Sequence, residues 1–159
     1  MSVAHVMYEE ELTLMQVIVD RLLRESSANV VFIIDKNGQL ISASGDTDQI
    51  DTTSLASLTA GNIAATGGIA KLLRENEFLT QFHEGEKTKI HIQLVASRVI
   101  LVVIFDNRTS PGMVRLRGKK ATDEITKLFE VVDAKSKSSN QRTPFSEITD
   151  DDIDNLFND

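Results

Sequence analysis

Hydrophobic positions in the first third of the chain predict one helix followed by two strands. Apolar side chains recur every three or four positions between Glu9 and Arg24, which is the spacing of one helical face. Two strand-like runs follow, at residues 30–34 and 39–44. Asn37 and Gly38 lie between the runs, and both residue types tolerate the positive φ of a tight turn. We therefore expect an antiparallel hairpin after the first helix.

A second helix is expected from residue 52 to about residue 76, with Thr52, Thr53 or Ser54 as its cap. When this segment is projected at about 100° per residue, its larger apolar side chains fall in one sector. That sector, the expected core face, holds Leu55, Leu58, Asn62, Ala65, Ile69, Leu72 and Leu73. The opposite sector is rich in glycine and alanine, and it would present backbone almost flush with the surface.

The small residues of this helix allow three interpretations. A phosphate-binding loop is the weakest, because the motif's Gly-Lys pair and the hydroxyl after it are missing. Gly67 and Gly68 could instead end one helix, so that Ile69 begins another. The apolar register crosses the glycines without slipping, which favours one helix with a bare face for a closely packed partner. The expected partner contacts on this face are Ala60, Ala64, Gly67, Gly68 and Lys71.

Three further strands and a last helix follow. A short strand is expected at residues 78–82, and residues 88–95 alternate between apolar and polar, as in a strand with one wet face. His91 falls on that wet face. Residues 99–105 are apolar throughout, which predicts a central strand covered on both faces. Helical spacing then extends from about residue 112 to residue 134.

The elements predict an α+β domain at residues 1–134, with an antiparallel five-stranded sheet, helices on both faces and the order α-β-β-α-β-β-β-α. Residues 135–143 are polar and are expected to be a solvated linker. Residues 144–159 form an acidic tail. The tail is either a solubilising extension or a short helical motif that folds on a partner. Its apolar edge, a candidate secondary contact, consists of Ile153, Leu156 and Phe157.

Charge and composition exclude several classes of function. The formal net charge of −7 argues against nucleic acid and anionic lipid as partners. The absence of cysteine excludes disulfides and thiolate metal sites and fits a cytoplasmic protein. No apolar run reaches the roughly 18 residues of a membrane span, so no membrane insertion is expected.

No catalytic or metal-binding constellation stands out in the sequence. The three histidines lack metal-ligand spacing. Asp35, Asn37 and Gly38 resemble the start of a calcium loop, but the later ligands are missing, so we interpret them as a turn. A basic stretch on the last helix is either a solvated face or a contact for an acidic partner, with Lys120 and Lys127 as candidate secondary contacts.

Three segments together resemble the Roadblock/dynein light chain family over about residues 9–134. They are the hairpin "VVFIIDKNGQLISASG", the helix "ASLTAGNIAATGGIAKLL" and the later strands "HIQLVASRVILVVIF". With the acidic tail, they are similar in particular to bacterial members of the family that regulate gliding motility.

The resemblance implies a homodimer whose sheets join across a twofold axis, with the two second helices forming a platform for a Ras-like small GTPase. It also implies GTPase activation without an arginine finger, by repositioning the GTPase's own switch residues. GTP and magnesium would belong to the partner, and this chain would be a regulator with no cofactor or active site of its own. The alternative is a non-catalytic dimeric scaffold that binds a partner through the second helix.

Overall fold

The fold is described from a computed structural model, which covers the backbone of residues 9–142 and the side chains of residues 9–137. Its elements, in chain order, are α1 (Glu9–Ser26), β1 (Val30–Asp35), β2 (Leu40–Gly45), α2 (Thr52–Leu72), β3 (Thr80–Glu84), β4 (Lys89–Val95), β5 (Val99–Phe105) and α3 (Pro111–Arg142). A short 3-10 turn at Thr47–Gln49 precedes α2. The predicted α+β class and element order are confirmed.

The five strands form one antiparallel sheet in the order β2-β1-β5-β4-β3. β5 lies at the centre, and all seven of its residues are buried, as its unbroken apolar sequence predicts. α1 and α3 cover one face of the sheet, where Met15 and Ile125 are fully buried. α2 covers the other face, where Phe32 and Ile100 are fully buried. The sheet therefore separates the surface of α2 from that of α1 and α3.

A buried aspartate, Asp35, stabilises the turn of the first hairpin. One Asp35 carboxylate oxygen accepts hydrogen bonds from the backbone N–H groups of Asn37 and Gln39, at 2.9 and 3.0 Å. Gly38 has a φ of +89°, whereas Asn37 has no positive φ. The tight turn thus requires the left-handed conformation only at the glycine. Next to the turn, the pairing register of β1 with β2 shifts between Ile33 and Ile34.

α3 is longer than predicted, because it continues beyond residue 134 to Arg142. No glycine or proline lies between residues 135 and 142 to end it. Lys135 also bonds to the carboxylates of Glu10 and Glu11 on α1, which holds this part of the helix against the domain. Residues 144–159, including the candidate contacts Ile153, Leu156 and Phe157, lie outside the described residues. Of the described helices, none has the length and apolar character needed to cross a membrane.

The prediction of a wet face on β4 is wrong for His91, which is 5% exposed. α3 crosses β4 on that face, and Gly118 lies directly over the imidazole. A Cβ built on Gly118 would be 3.7 Å from His91 Nε2. This is an ordinary van der Waals distance, so α3 packs directly on the His91 side of β4 and covers it.

Candidate partner-binding surface on helix α2

α2 is one continuous helix that passes through Gly67 and Gly68. This excludes the interpretation in which the two glycines separate two helices. The N-cap is Asp51, whose carboxylate accepts a hydrogen bond from the Ser54 N–H at 3.1 Å, so the expected cap among residues 52–54 is wrong by one position. The helix ends at Leu72, earlier than predicted, because Arg74 adopts a left-handed φ of +63°.

The side of α2 that was predicted to face the core differs from the side that packs on the sheet. Three of the large apolar residues on the predicted side are exposed, Leu58 by 72%, Ile69 by 52% and Leu72 by 85%. Leu55 is half-buried and packs against the core, as predicted. The residues buried against the sheet are instead small, namely Ala56, Thr59, Ala60 and Ala70. The opposing sheet face already carries bulky branched and aromatic side chains, so small residues at the fully buried positions let α2 pack closely on it, while Leu55 and Ile63 pack against it partly buried.

The exposed apolar residues form a stripe along α2, hereafter the leucine stripe, which consists of Leu58, Ala65, Ile69 and Leu72. Their spacings of seven, four and three residues place them on one side of the helix. Sequence analysis missed this surface because it assigned these residues to the core. One feature of the sequence indicates this surface. α2 is apolar around most of its circumference, which is typical of a helix that is covered on more than one side.

The five predicted contact residues line one cleft of about 360 Å³ beside α2, hereafter the small-residue cleft. Ala64, Gly68 and Lys71 are exposed and Gly67 is half-buried. Ala60 differs from the expectation, because it is 7% exposed and packs in the core as the floor of the cleft. Whether these residues contact a partner stays a prediction.

The glycines of α2 are not explained by packing within the described protomer. No described atom lies within 4 Å of a Cβ built on Gly61, Gly67 or Gly68 outside the helix's own local backbone. In a helix interior, glycine costs about 0.5–1 kcal/mol relative to alanine. Within the described residues, no packing contact at these glycines offsets this cost.

An ion pair borders the small-residue cleft. Lys36 Nζ lies 2.6 Å from Glu77 Oε1, and the second Glu77 oxygen accepts a hydrogen bond from Ser97 at 3.1 Å. The hydrogen bond from Lys36, followed by that from Ser97, holds the pKa of Glu77 below its ordinary value. Lys71 forms no ion pair with a described residue, so its charge remains available at the cleft.

A polar network ties α2 to the edge strand β3. The Gln81 side chain accepts a hydrogen bond from Asn62 at 2.9 Å and donates one to Thr66 at 2.8 Å. β3 pairs with β4 alone among the described strands, so its outer edge is unpaired there. The network thus places β3 beside the Asn62 and Thr66 side of α2.

The basic residues of α3 lie across the sheet from α2. Lys127 is exposed, and Lys120 lies 3.6 Å from the Glu25 carboxylate of α1. The structure therefore does not bring Lys120 and Lys127 together with the small-residue cleft. Within the described residues, no group of three or more His, Asp or Glu side chains is placed to hold a metal ion.

Comparison with known proteins assigns the fold to a family. Residues 14–105 match the Roadblock/LC7 domain. The chain belongs to the Roadblock/LC7 family. This confirms the family resemblance of the three sequence segments. No curated protein matches the chain.

Several solved structures of the family are similar to the chain. Myxococcus xanthus MglB is 64% identical, with a TM-score of 0.76, over 79% of this chain and 95% of that one. A gliding protein MglB from Thermus thermophilus is 29% identical, with a TM-score of 0.74, over 78% of this chain and 94% of that one. A third structure, described as MglB with a tetrameric arrangement, is 28% identical, with a TM-score of 0.74, over 79% and 95% of the two chains. The chain is thus an MglB-like member of the Roadblock/LC7 family.

Proposed function

We propose that this protein is a GTPase-activating protein for an MglA-like Ras-type GTPase, acting as a homodimer in bacterial motility and polarity control. The observation that carries the proposal is the unbroken helix through Gly67 and Gly68, where no described side chain lies within 4 Å of the position that a Cβ would take. Glycine in a helix permits another backbone to approach closely. In an MglB-like protein, the partner segment that would pack against this surface is a switch segment of the GTPase.

The leucine stripe and the edge of β3 support the proposed homodimer. Leu58, Ile69 and Leu72 together expose a contiguous apolar surface, which marks an interaction site in a protein of this size. A twofold axis at the β3 edge would pair the two edge strands and bring the two leucine stripes together. One MglB structure is described with a tetrameric arrangement, which supports association of such chains.

In the proposed mechanism, this chain positions residues of the GTPase and contributes no catalytic side chain of its own. Arg98 donates two hydrogen bonds to Asp133, at 2.8 and 3.0 Å, and its guanidinium carbon lies 5.2 Å from the centroid of the Phe129 ring. It is therefore held on the protomer. Arg74 is exposed at the end of α2, but no described group orients it. Stabilising the GTPase's own switch residues in their reactive positions lowers the barrier without a group from this chain.

Arginine substitution in the cleft tests the contact. Ala64→Arg and Gly68→Arg should each weaken binding of the GTP-loaded GTPase by about 5- to 150-fold, because overpacking a close contact costs about 1–3 kcal/mol. Leu14→Arg on α1 is the matched control, since Leu14 is 51% exposed on the other side of the sheet. Equal affinity of wild-type protein and both cleft variants, measured by calorimetry, would disprove this binding surface.

A non-catalytic scaffold is the second candidate. It is favoured by the chemistry of the cleft, whose polar side chains are mostly occupied: Lys36 by Glu77, and Thr66 by Gln81 and the Asn62 carbonyl. Such a surface can hold a partner without changing its reactivity. The two functions differ in one quantity, the rate of GTP hydrolysis by the bound GTPase.

A further inference from the structure

A second cavity, of about 440 Å³, lies between α3 and the strands β3 and β4, on the face of the sheet opposite α2. Hereafter it is called the basic cavity. It is lined by Thr80, His91, Gln93, Arg115, Lys119 and Thr122. Every charged side chain in this lining is a cation, although the chain as a whole has a formal net charge of −7. The proposed GTPase contact makes no use of this cavity.

The floor of the basic cavity is a buried side chain without a partner. His91 is 5% exposed, and its imidazole makes no hydrogen bond to a described residue. The ring nitrogens are not among the fully enclosed, unpartnered atoms of the described residues, so they open to the cavity, where a ligand would complete their hydrogen bonding. Burial, with a smaller effect of the Arg115 charge, lowers the pKa of His91. The neutral ring can still donate one N–H bond into the cavity.

The walls supply two uncompensated cations. Neither Arg115 nor Lys119 forms an ion pair with a described residue. The hydroxyls of Thr80 and Thr122 already donate to Gln93 and to the Gly118 carbonyl, at 2.7 and 2.8 Å. The donors left for a ligand are therefore the Arg115 guanidinium, the Lys119 ammonium, the His91 imidazole and the second N–H of the Gln93 amide, whose first bonds to the Leu94 carbonyl.

We propose that the basic cavity binds a phosphate group, either as inorganic phosphate or as the monoester of a small molecule. Two cations balance a phosphate dianion, whereas a carboxylate needs only one. The arginine fork and the lysine can bind different phosphate oxygens, with the imidazole N–H at the base. This ligand would join α3 to β4 at a site separate from α2.

Nuclear magnetic resonance titration of the full chain with inorganic phosphate tests the proposal. The His91 ring signal is identified by its loss in His91→Gln and by its retention in His83→Gln. At constant ionic strength, phosphate should shift this signal and the amide signals of residues 115–122 in a saturable way. Glycerol phosphate distinguishes the two sources: it binds as well if the site takes monoesters, and it fails to bind if the site takes the free ion.

Arg115→Gln and Lys119→Gln should each weaken phosphate binding about tenfold or more, the effect of losing one charged hydrogen bond. Lys127→Gln is the matched control, because it removes the same charge from the same helix outside the cavity, and it should bind as wild type does. The proposal is overturned if the shifts are non-saturable, if acetate binds as tightly as phosphate, or if Lys127→Gln loses as much affinity as the cavity variants.

Discussion

At the residue scale, the glycines of α2 carry the proposed function. Their cost to the helix is local, and in the proposed function the close approach of a partner offsets it. The bare backbone at Gly67 and Gly68 could be predicted from the sequence, because a glycine has no side chain whatever surrounds it. It could not predict that Ala60 is buried, because burial of an alanine depends on what the sheet presents to it.

Gly67→Ala should therefore stabilise the fold and weaken the partner contact. The free energy of unfolding, measured by urea denaturation, should rise by about 0.5–1 kcal/mol, because Gly67 has no positive φ and its Cβ would meet open space. Affinity for the GTPase should fall. Gly118→Ala is the control: it too is a helical glycine with room for a Cβ, so it should stabilise the fold and leave GTPase affinity unchanged. Unchanged affinity in both variants would contradict a role for the bare face at Gly67.

His91 should make the fold less stable in mild acid. Burial lowers the pKa of His91 in the folded state, while the unfolded value is about 6.5. The unfolded chain therefore binds the proton more readily, and the free energy of unfolding should decrease as the pH falls from about 7.5 through 6.5 toward the folded pKa. Asp106, whose pKa is lowered to about 2 by the backbone N–H of Arg108 and then by Asn29, loses its contribution only below its ordinary value of 3.8.

Urea denaturation at several pH values between about 5.5 and 7.5 measures this dependence. His91→Gln should flatten it, and His83→Gln on the exposed strand β3 should retain it. A slope that is the same in wild type and His91→Gln would show that another group titrates.

At the element scale, periodicity predicted which segments are strands or helices better than it predicted which sides are covered. β5 was predicted correctly because an unbroken apolar run has no wet side. β4 and α2 were not, since α3 covers the His91 side of β4 and the fully buried positions of α2 against the sheet are small residues. Both differences result from close approach between elements distant in sequence, which a local pattern does not contain.

The turn between β4 and β5 stores strain that a substitution should relieve. Ala96 and Ser97 have φ values of +54° and +55°, the left-handed conformation that non-glycine residues adopt at a cost. Ala96→Gly should raise the free energy of unfolding by about 1 kcal/mol in urea denaturation. The change leaves the hydrogen bond from Ser97 to Glu77 in place. Lower stability of this variant would show that the left-handed turn is not strained.

At the scale of the whole molecule, the leucine stripe should hold the homodimer together. The double substitution Leu58→Glu and Leu72→Glu places charge on two of its exposed positions and should shift sedimentation from dimer to monomer. Leu14→Glu and Val17→Glu on α1 form the control, because these residues are also about half exposed, at 51% and 50%. A dimer that survives the α2 substitutions would place the interface elsewhere.

The most direct test of the central claim is single-turnover GTP hydrolysis by an MglA-like GTPase, with this protein at a concentration near the Kd of wild type for the GTPase. Wild type should accelerate hydrolysis, Ala64→Arg should lose the acceleration at the same concentration, and Arg74→Ala should keep it. An arginine finger accelerates GTP hydrolysis by about 10³–10⁵-fold, so the hydrolysis rate would fall by a readily measured factor if Arg74 had this role. No acceleration by wild type would favour the scaffold, and full acceleration by Ala64→Arg would contradict the assignment of the small-residue cleft.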